Sequence, residues 1–427
     1  STLTLGSSGK TVAIASGAST TGMGRAGTVD WCTTAKTSPL TGESGKGYFI
    51  DTSSGAVTVT LPASPSAGDI VSVSDYAKSA NTNNITIGRN SSKIDGETVD
   101  LILDTKGIAT TLVYVDATKG WKPVNSNEVS NLLSYVTATG GTVTTSGDYK
   151  IHTFTSDANF VVSDAGSAGG SNTVDYLVVA GGGGGGRGIG GGGGAGGYRE
   201  SSGTASGSYA VSPLGSGVSA LPVSVTSYPV VIGGGGAFCA SGSNSSFSSI
   251  TSAGGGYGGK KRSGDCRPAA DGGSGGGQRS AISSPNSQTP VGGAGNTPPV
   301  SPPQGNTGGR GFDGSVSSSD SGGGGGATAV GTNAGPPAGP GGGPGGAGAT
   351  SSINGTPTAR AGGGGGGSDN RPQGSGGTGG GGGAGHPQGT AGSANTGGGG
   401  GGGKVNPCGL GNAGGSGIVI IRYKYQN

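Results

Sequence analysis

The side chains of this 427-residue chain that could bind a ligand lie in the segments between its glycine runs. They are basic and aromatic residues: Arg187, Tyr198, Arg199, Phe238, Tyr257, Lys260, Lys261, Arg262, Arg267, Arg310, Phe312 and Arg371. Tyrosine and arginine are enriched at binding hot spots. We therefore predict that the set forms a recognition surface, although a solvated loop is the better explanation of each residue taken singly.

Residues for acid–base or nucleophilic catalysis are scarce. The chain has two histidines, and they lie in different contexts: His152 alternates with Phe154 in a strand-like segment, whereas His386 precedes a proline in a loop. A nucleophile, base and acid relay is hard to build from such residues. The Gly-x-Ser-x-Gly pattern at 272–276 is expected by chance in glycine runs. We predict no enzyme activity and no catalytic residue.

Metal and cofactor sites are not predicted either. Cys32, Cys239, Cys266 and Cys408 form no C-x-x-C pair, and neither histidine is near them in the sequence, so a zinc site is not indicated. Cys239 and Cys266 flank one glycine-rich stretch and either form a disulfide there or are unreactive side chains. Residues 6–11 resemble a phosphate-binding loop, but the spacing of its first glycine is wrong. They predict a turn.

Composition excludes further classes of protein. Only 29% of the residues are hydrophobic and 11% are charged, so one large apolar core is not expected. A net charge of +3 is too small to indicate nucleic-acid binding, and Arg-Gly-Gly elements are not repeated. No apolar stretch approaches the roughly 20 residues of a membrane span. No secretory signal is recognised at the start of the sequence.

The segments that must position the candidate residues are the glycine runs, at 181–186, 190–194, 233–236, 322–326, 362–367, 379–383 and 397–403. Glycine loses more conformational freedom on folding than any other residue, so such a region is either disordered or held by direct backbone packing. Distinct connectors between runs of similar length favour order. We predict rods in the polyproline II conformation, which has three residues per turn and no internal hydrogen bonds, joined to each other by their backbone groups.

The rest of the chain predicts small β modules. Residues 1–45 indicate an extended or β shaft module, 46–126 a small β-sandwich domain and 127–136 a linker helix. In 137–427 we expect a sheet base, formed by 137–180 and 417–425, with the polyglycine II domain 181–416 inserted between them. The terminal strand should pair with strands of 149–179. The predicted fold class is mainly β: β-sandwich modules followed by a polyglycine II sandwich.

Two resemblances extend this interpretation. The glycine runs with intervening loops resemble the distal adhesins of T-even-like bacteriophages, whose family fold is a layered polyglycine II sandwich with specificity loops at its tip. Other segments resemble tail-fibre and virion proteins of marine phages, including those of cyanobacteria. These segments are GYFIDTSSGAVTVTLP at 47–62, LVYVD at 112–116, DYLVVAG at 175–181, GGYRE at 196–200 and GIVIIRY at 417–423.

The resemblance implies a non-enzymatic homotrimeric tail fibre or tip adhesin on a virion, made in the host cytoplasm without a signal peptide. Its implied partners are itself, other virion tail proteins, and a bacterial surface glycan or outer-membrane protein, with no nucleic acid and no membrane insertion. The alternatives are a structural extracellular glycine-rich filament or an ice-binding protein, and then a glycan depolymerase. Irregular loops argue against the flat, regular face that ice binding requires.

Overall fold

The fold is mainly β, as predicted: the structure is 32% strand and 2% helix. It is a computed structural model, and it describes residues 29–124, 135–167, 170–207, 209–260, 268–279, 291–313, 319–335, 341–386, 388–403 and 411–426. Contacts divide the chain into two compact units, Ser1–Leu132 and Leu133–Asn427. Within the described ranges, no helix has the length and apolarity needed to cross a membrane.

The first unit alternates its strands between two sheets. The strands are β1 (Asp30–Lys36), β2 (Leu40–Thr41), β3 (Lys46–Ile50), β4 (Val57–Thr60), β5 (Ile70–Asp75), β6 (Ile85–Gly88), β7 (Leu101–Leu103), β8 (Ala109–Asp116) and β9 (Gly120–Pro123). One sheet has the order β1-β3-β5-β8-β9 and the other β2-β4-β6-β7. The pairs β1–β3, β3–β5, β2–β4 and β4–β6 are parallel, because the chain crosses from one sheet to the other after each strand. The later pairs β5–β8, β8–β9 and β6–β7 are antiparallel.

Both sheets of the first unit share one apolar core. Val57 and Val59 alternate with half-buried threonines and point inward, as a strand with one buried face requires. Trp121 is fully buried in this core. Strands β1 and β2 pair with β3 and β4, so a module boundary at residue 46 is too late. Residues 1–28 of the predicted shaft module lie outside the described residues.

The second unit holds the remaining strands. They are β10 (Val136–Thr139), β11 (Thr142–Ser146), β12 (Tyr149–Phe154), β13 (Ala158–Ala165), β14 (Thr173–Val179), β15 (Tyr198–Glu200), β16 (Leu221–Pro222), β17 (Ser227–Val231), β18 (Ser245–Phe247), β19 (Ile250–Ser252), β20 (Phe312–Asp313), β21 (Ser319–Asp320), β22 (Ala349–Ser351), β23 (Thr358–Arg360) and β24 (Ile418–Lys424). Most of the predicted linker helix lies outside the described residues. Its last residue, Val136, starts strand β10 instead.

Strand β24 is the centre of the second unit. The main sheet has the order β11-β12-β24-β14-β15, with β16 added to β14, so the terminal strand pairs with β12 and β14 as predicted. A second sheet, β10-β13-β17-β18-β19, draws three of its strands from the glycine-rich region. One face of β24 packs with Phe160 and Phe247 of that sheet. Its other face packs with small residues of the glycine-rich region, among them Ala195 and Ala361.

We call the hydrogen-bonded glycine-rich segments between residues 180 and 417 the glycine array. In its first run, consecutive N–H groups donate to three different neighbours in turn. Gly181 and Gly184 donate to residues 243 and 240, Gly182 and Gly185 to residues 415 and 412, and Gly183 and Gly186 to residues 194 and 191. The prediction that glycine backbones pack directly on one another is confirmed.

Close packing of the array explains its composition. Gly193 lies inside the array, and a Cβ atom there would come closer than 3.0 Å to the backbone carbonyl of Gly183. The same holds for most glycines of the runs, whose missing side chains leave the space that a neighbouring carbonyl occupies. Hydrogen bonds between backbones therefore replace the side-chain core that this composition cannot supply.

Candidate functional site

The glycine array has two ends, which are set by the register of its hydrogen bonds. One end adjoins the strands of the main sheet, and we call it the sheet side. There the N–H of Ala180 donates to Gly197 and the N–H of Gly197 donates to Ala253. At the opposite end Gly186 donates to Gly191 (2.8 Å), Gly191 to Gly259 (3.0 Å) and Gly259 to Gly277 (2.9 Å). We call this end the far layer; its members, linked by such bonds, are Gly186, Gly190, Gly191, Gly259, Gly277, Gln278, Gly309, Ser321, Gly367 and Gly403.

Six of the predicted recognition residues lie at the far layer. Arg187, Lys260 and Arg310 each follow a far-layer glycine directly, and all three are half-buried. Phe238 is next to Cys239, whose N–H donates to Gly185 (3.1 Å), and its side chain is 47% exposed. The remaining two are Phe312, in strand β20, and Arg371, in the connector after Gly367. These residues are far apart in the sequence, and the array collects them at one end.

Tyr198 and Arg199 are placed differently, and the prediction that they lie on a loop is wrong. Both belong to β15, at the sheet side of the array. Tyr198 is only 1% exposed and donates its hydroxyl hydrogen to Glu200 Oε2 at 2.9 Å. Arg199 is half-buried, and its Nη1 donates to the Thr251 carbonyl oxygen. Pairing of β15 with β14 draws this segment into the main sheet and away from the far layer.

Tyr257 is also not a loop residue. It lies within a hydrogen-bonded segment, where its carbonyl oxygen accepts from Ala270 and the next residue, Gly258, donates to Gly184. Its side chain is half-buried, one step behind the far layer. The predicted residues Lys261, Arg262 and Arg267 lie outside the described residues, as does Cys266 of the disulfide considered for Cys239.

Arg371 has a structural partner. Its Nη1 lies 3.1 Å from Oδ2 of Asp320, a carboxylate that is 0% exposed. Ser368 donates its hydroxyl hydrogen to the other carboxylate oxygen at 2.6 Å. A buried charge is costly without such partners, so Arg371 stabilises the connector 368–373.

Sequence reasoning missed Arg279. This residue follows Gln278, a far-layer residue whose N–H donates to Gly309 at 2.8 Å. It is half-buried, like Arg187 and Arg310. The signal was present in the sequence, because Arg279 ends a glycine-rich run in the same way as Arg187, Lys260 and Arg310 do.

The two histidines do not meet. His152 is fully buried in β12, where its Nδ1 donates to the Gly140 carbonyl oxygen (2.7 Å) and its Nε2 accepts from the Tyr423 hydroxyl (3.0 Å). Burial lowers the pKa of His152, so the ring is neutral there. His386 is exposed beside the far layer, since its neighbour Gly385 donates to Gly402. His152 is therefore a strand residue of the core, as predicted.

Two buried carboxylates lie at the sheet side. Asp175 accepts from the Ser201 (2.7 Å) and Ser206 (2.6 Å) hydroxyls. Glu200 accepts from Tyr198, from the Ser212 N–H (3.0 Å) and from the Ser351 hydroxyl, and burial raises its pKa. These bonds join β14 and β15 to neighbouring connectors and, through Ser351, to strand β22. Among the described residues, no group of three or more His, Cys, Asp or Glu side chains could hold a metal ion.

Comparison with known proteins agrees with the architecture of the second unit. No curated protein matches the chain. The family model described as a glycine-rich domain matches residues 163–424, which include β14, the glycine array and β24. Since this match covers more than half of the 427 residues, the chain belongs to the glycine-rich domain family.

Proposed function

We propose that the protein is a virion structural protein, a bacteriophage tail fibre or tip adhesin, that recognises the surface of a bacterial host through connectors at the far layer. The observation that carries this proposal is the collection of Arg187, Phe238, Lys260, Arg310 and Phe312 at one end of a buried, hydrogen-bonded array. Loops held by a rigid scaffold are a common basis of recognition.

The array supplies the rigidity that this role requires. A connector anchored at both ends to hydrogen-bonded backbone loses little further freedom when it binds, so less affinity is lost to ordering. We propose that its runs are polyproline II rods. The repeat of three in the hydrogen bonds of residues 181–186 supports this, because a polyproline II helix has three residues per turn.

The proposed assembly is a homotrimer on the outside of the virion, in contact with other tail proteins at one end and with a surface glycan or outer-membrane protein at the other. The likeness of its sequence segments to phage fibre proteins supports this assignment. The proposed role is non-enzymatic. His152 is buried and His386 is exposed, so the two histidines do not form a general acid–base pair, and this supports a non-enzymatic role.

Binding to cells tests the proposal. Fluorescently labelled protein would be added to a panel of bacterial strains that includes marine cyanobacteria, and bound protein measured by flow cytometry. We expect selective labelling of some strains, and at least a tenfold loss in the double variant Arg310→Ala, Phe312→Ala. The matched control is Val330→Ala, which changes an exposed residue at the sheet-side turn 328–330.

Four results would contradict the proposal. One is the absence of labelling of every strain by a folded protein. Another is equal loss of labelling in the far-layer variant and the Val330 control. Assembly into filaments without any cell binding would instead support the structural alternative, and release of sugars from a purified glycan would support a depolymerase.

A further inference from the structure

Among the described residues, four runs that lead away from the sheet end on a basic residue. Arg187 follows Gly186, Lys260 follows Gly259, Arg279 follows Gln278 and Arg310 follows Gly309. All four preceding residues belong to the far layer, and all four basic side chains are half-buried. We call these four residues the basic row.

The residues of the basic row are neighbours in the array. Direct hydrogen bonds link their runs in order: Gly258 donates to Gly184, Gly259 to Gly277, and Gln278 to Gly309. Backbones joined in this way lie about 5 Å apart. The four positive charges therefore follow one another across the far layer, each within reach of the next group on an extended ligand.

The sheet-side turns of the array have a different composition. Residues 298–303, 328–330, 378–380 and 393–396 connect runs at that side, and none of these segments contains a charged residue. Basic residues on every turn would be explained by solubility alone. Their concentration at the far layer instead gives the array one positive end.

Among the described residues, acidic side chains at the same end are fewer than basic ones. Asp320 is buried and paired with Arg371. Asp369 follows Ser368 in the next connector, and Asp313 is in the short strand β20. Within four residues of a far-layer residue in the sequence, the structure describes five basic and three acidic residues, which is a net charge of +2. An anionic ligand is complementary to that charge.

We propose that the basic row binds an acidic surface polysaccharide, in which carboxylate or phosphate groups repeat along the chain. Arginine binds both groups through paired hydrogen bonds, and the half-buried stems limit the motion of the charged groups. This inference rests on the proposed function and specifies its receptor. A glycan fits better than nucleic acid, because a cell-surface contact meets glycans and four cations give little of the salt-dependent affinity that nucleic-acid binding requires.

The test measures binding of the full chain to three polymers: polygalacturonate for carboxylates, poly(glycerol phosphate) for phosphates and dextran as a neutral control. We expect binding to at least one acidic polymer, weakened by salt, and none to dextran. The variant Arg187→Gln, Lys260→Gln, Arg279→Gln, Arg310→Gln should lose at least tenfold in affinity. The charge-matched control Lys78→Gln, Lys106→Gln, Lys119→Gln, Arg199→Gln should change it less than twofold.

A conservative variant keeps the test valid if the quadruple variant does not fold. Arg187→Lys, Arg279→Lys, Arg310→Lys retains the charge and should keep binding within about threefold to fivefold, because lysine lacks only the paired geometry. Equal loss in the quadruple variant and its charge-matched control would overturn the inference. So would tighter binding of a thymidine oligonucleotide than of either acidic polymer, which would indicate a nucleic-acid partner.

Failure of this inference is distinct from failure of the proposed function. If the protein labels bacterial cells and neither acidic polymer competes, the adhesin proposal stands and the basic row is not its glycan site. If an acidic polymer binds through the basic row and no strain is labelled, the binding site stands without the adhesin role.

Discussion

A glycine of the array is required where another backbone occupies the space of its missing side chain. Gly193 is such a position, because a Cβ atom there would come closer than 3.0 Å to the backbone of Gly183. Gly234 is the opposite case: it lies in a run of the same kind, but a Cβ atom there would meet no atom within 4 Å. The two glycines look alike in the sequence and differ only in the fold.

We predict that Gly193→Ala destabilises the protein by about 1–3 kcal/mol, because the neighbouring run must shift and its hydrogen bonds weaken. Gly234→Ala should change the free energy of unfolding by less than about 1 kcal/mol, and in the stabilising direction if the backbone tolerates alanine. Urea denaturation of both variants measures the difference. Equal effects would mean that the runs are not packed as described.

His152 makes stability depend on pH. Burial lowers its pKa in the folded state, whereas the unfolded chain keeps the ordinary value of about 6.5. Between these values the unfolded state binds more protons, so the stabilising contribution is present above pH 6.5 and is lost as the pH falls. The wild type should lose about 1 kcal/mol more than His152→Gln between pH 7.5 and 5.5. Glu200 is present in both proteins, so its titration cancels.

Thermal or urea unfolding of the wild type and His152→Gln at pH 7.5, 6.5 and 5.5 measures that difference. If the difference in free energy of unfolding between the two proteins stayed constant over this range, the pKa of the imidazole would be the same in the folded and unfolded states. If the stability advantage of the wild type over the variant increased as the pH fell, His152 would be charged in the folded state.

At the scale of single residues, the sequence predicted the kind of side chain at the far layer better than its position. Arg187 and Arg310 could be recognised because each follows a glycine run. Tyr198 does so as well, yet it is buried, because pairing of β15 with β14 decides its environment. The two strands are separated in the sequence by a glycine-rich stretch, so their pairing produces no pattern in the local sequence around Tyr198.

Strands with one buried face were the most predictable elements. The strands β14 and β24 were predicted within residues 149–179 and 417–425, because a buried strand is a continuous apolar run in the sequence. The short strands β18 and β22 were missed. They consist mainly of serine, threonine, alanine and phenylalanine, and their partners are set by the register of the array.

Strand β24 connects the sheet to the glycine array, and a prediction follows for it. Ile420 is fully buried on the face that packs against Ala195 and Ala361. Ile420→Ala should destabilise the second unit by about 2–5 kcal/mol and lower the amide protection of residues 181–186 with that of β12. The matched control is Val143→Ala in the edge strand β11, whose side chain is exposed.

Hydrogen exchange with mass spectrometry distinguishes the two variants. Loss of protection in β12 alone, with the runs unchanged, would mean that the array is stable without the sheet. Loss in the runs alone would mean that Ile420 supports the array and not the strand pairing. The expected outcome is a common loss, because the core that contains Ile420 is built from both parts.

At the scale of the whole molecule, the first unit leaves apolar side chains uncovered. Trp31, Tyr76, Val115 and Val124 are each more than a third exposed. Trp31 stacks on Phe49 with ring centroids 4.8 Å apart, and Phe49 contacts Tyr76 edge to face at 6.4 Å. Clustered exposed aromatic residues are typical of interaction surfaces, and the proposed homotrimer supplies a partner that would cover them.

The trimer is tested by the mass of the protein in solution. Native mass spectrometry should give three times the chain mass of 39.7 kDa. The variant Tyr76→Ser, Val124→Ser should dissociate at higher protein concentration than the wild type, because it removes apolar area from the contact. Val330→Ser removes a similarly exposed valine from the glycine array and should leave the mass unchanged. A monomer at every concentration would reject the trimer, and a stable dimer would reject its threefold symmetry while leaving the aromatic cluster as a contact between copies.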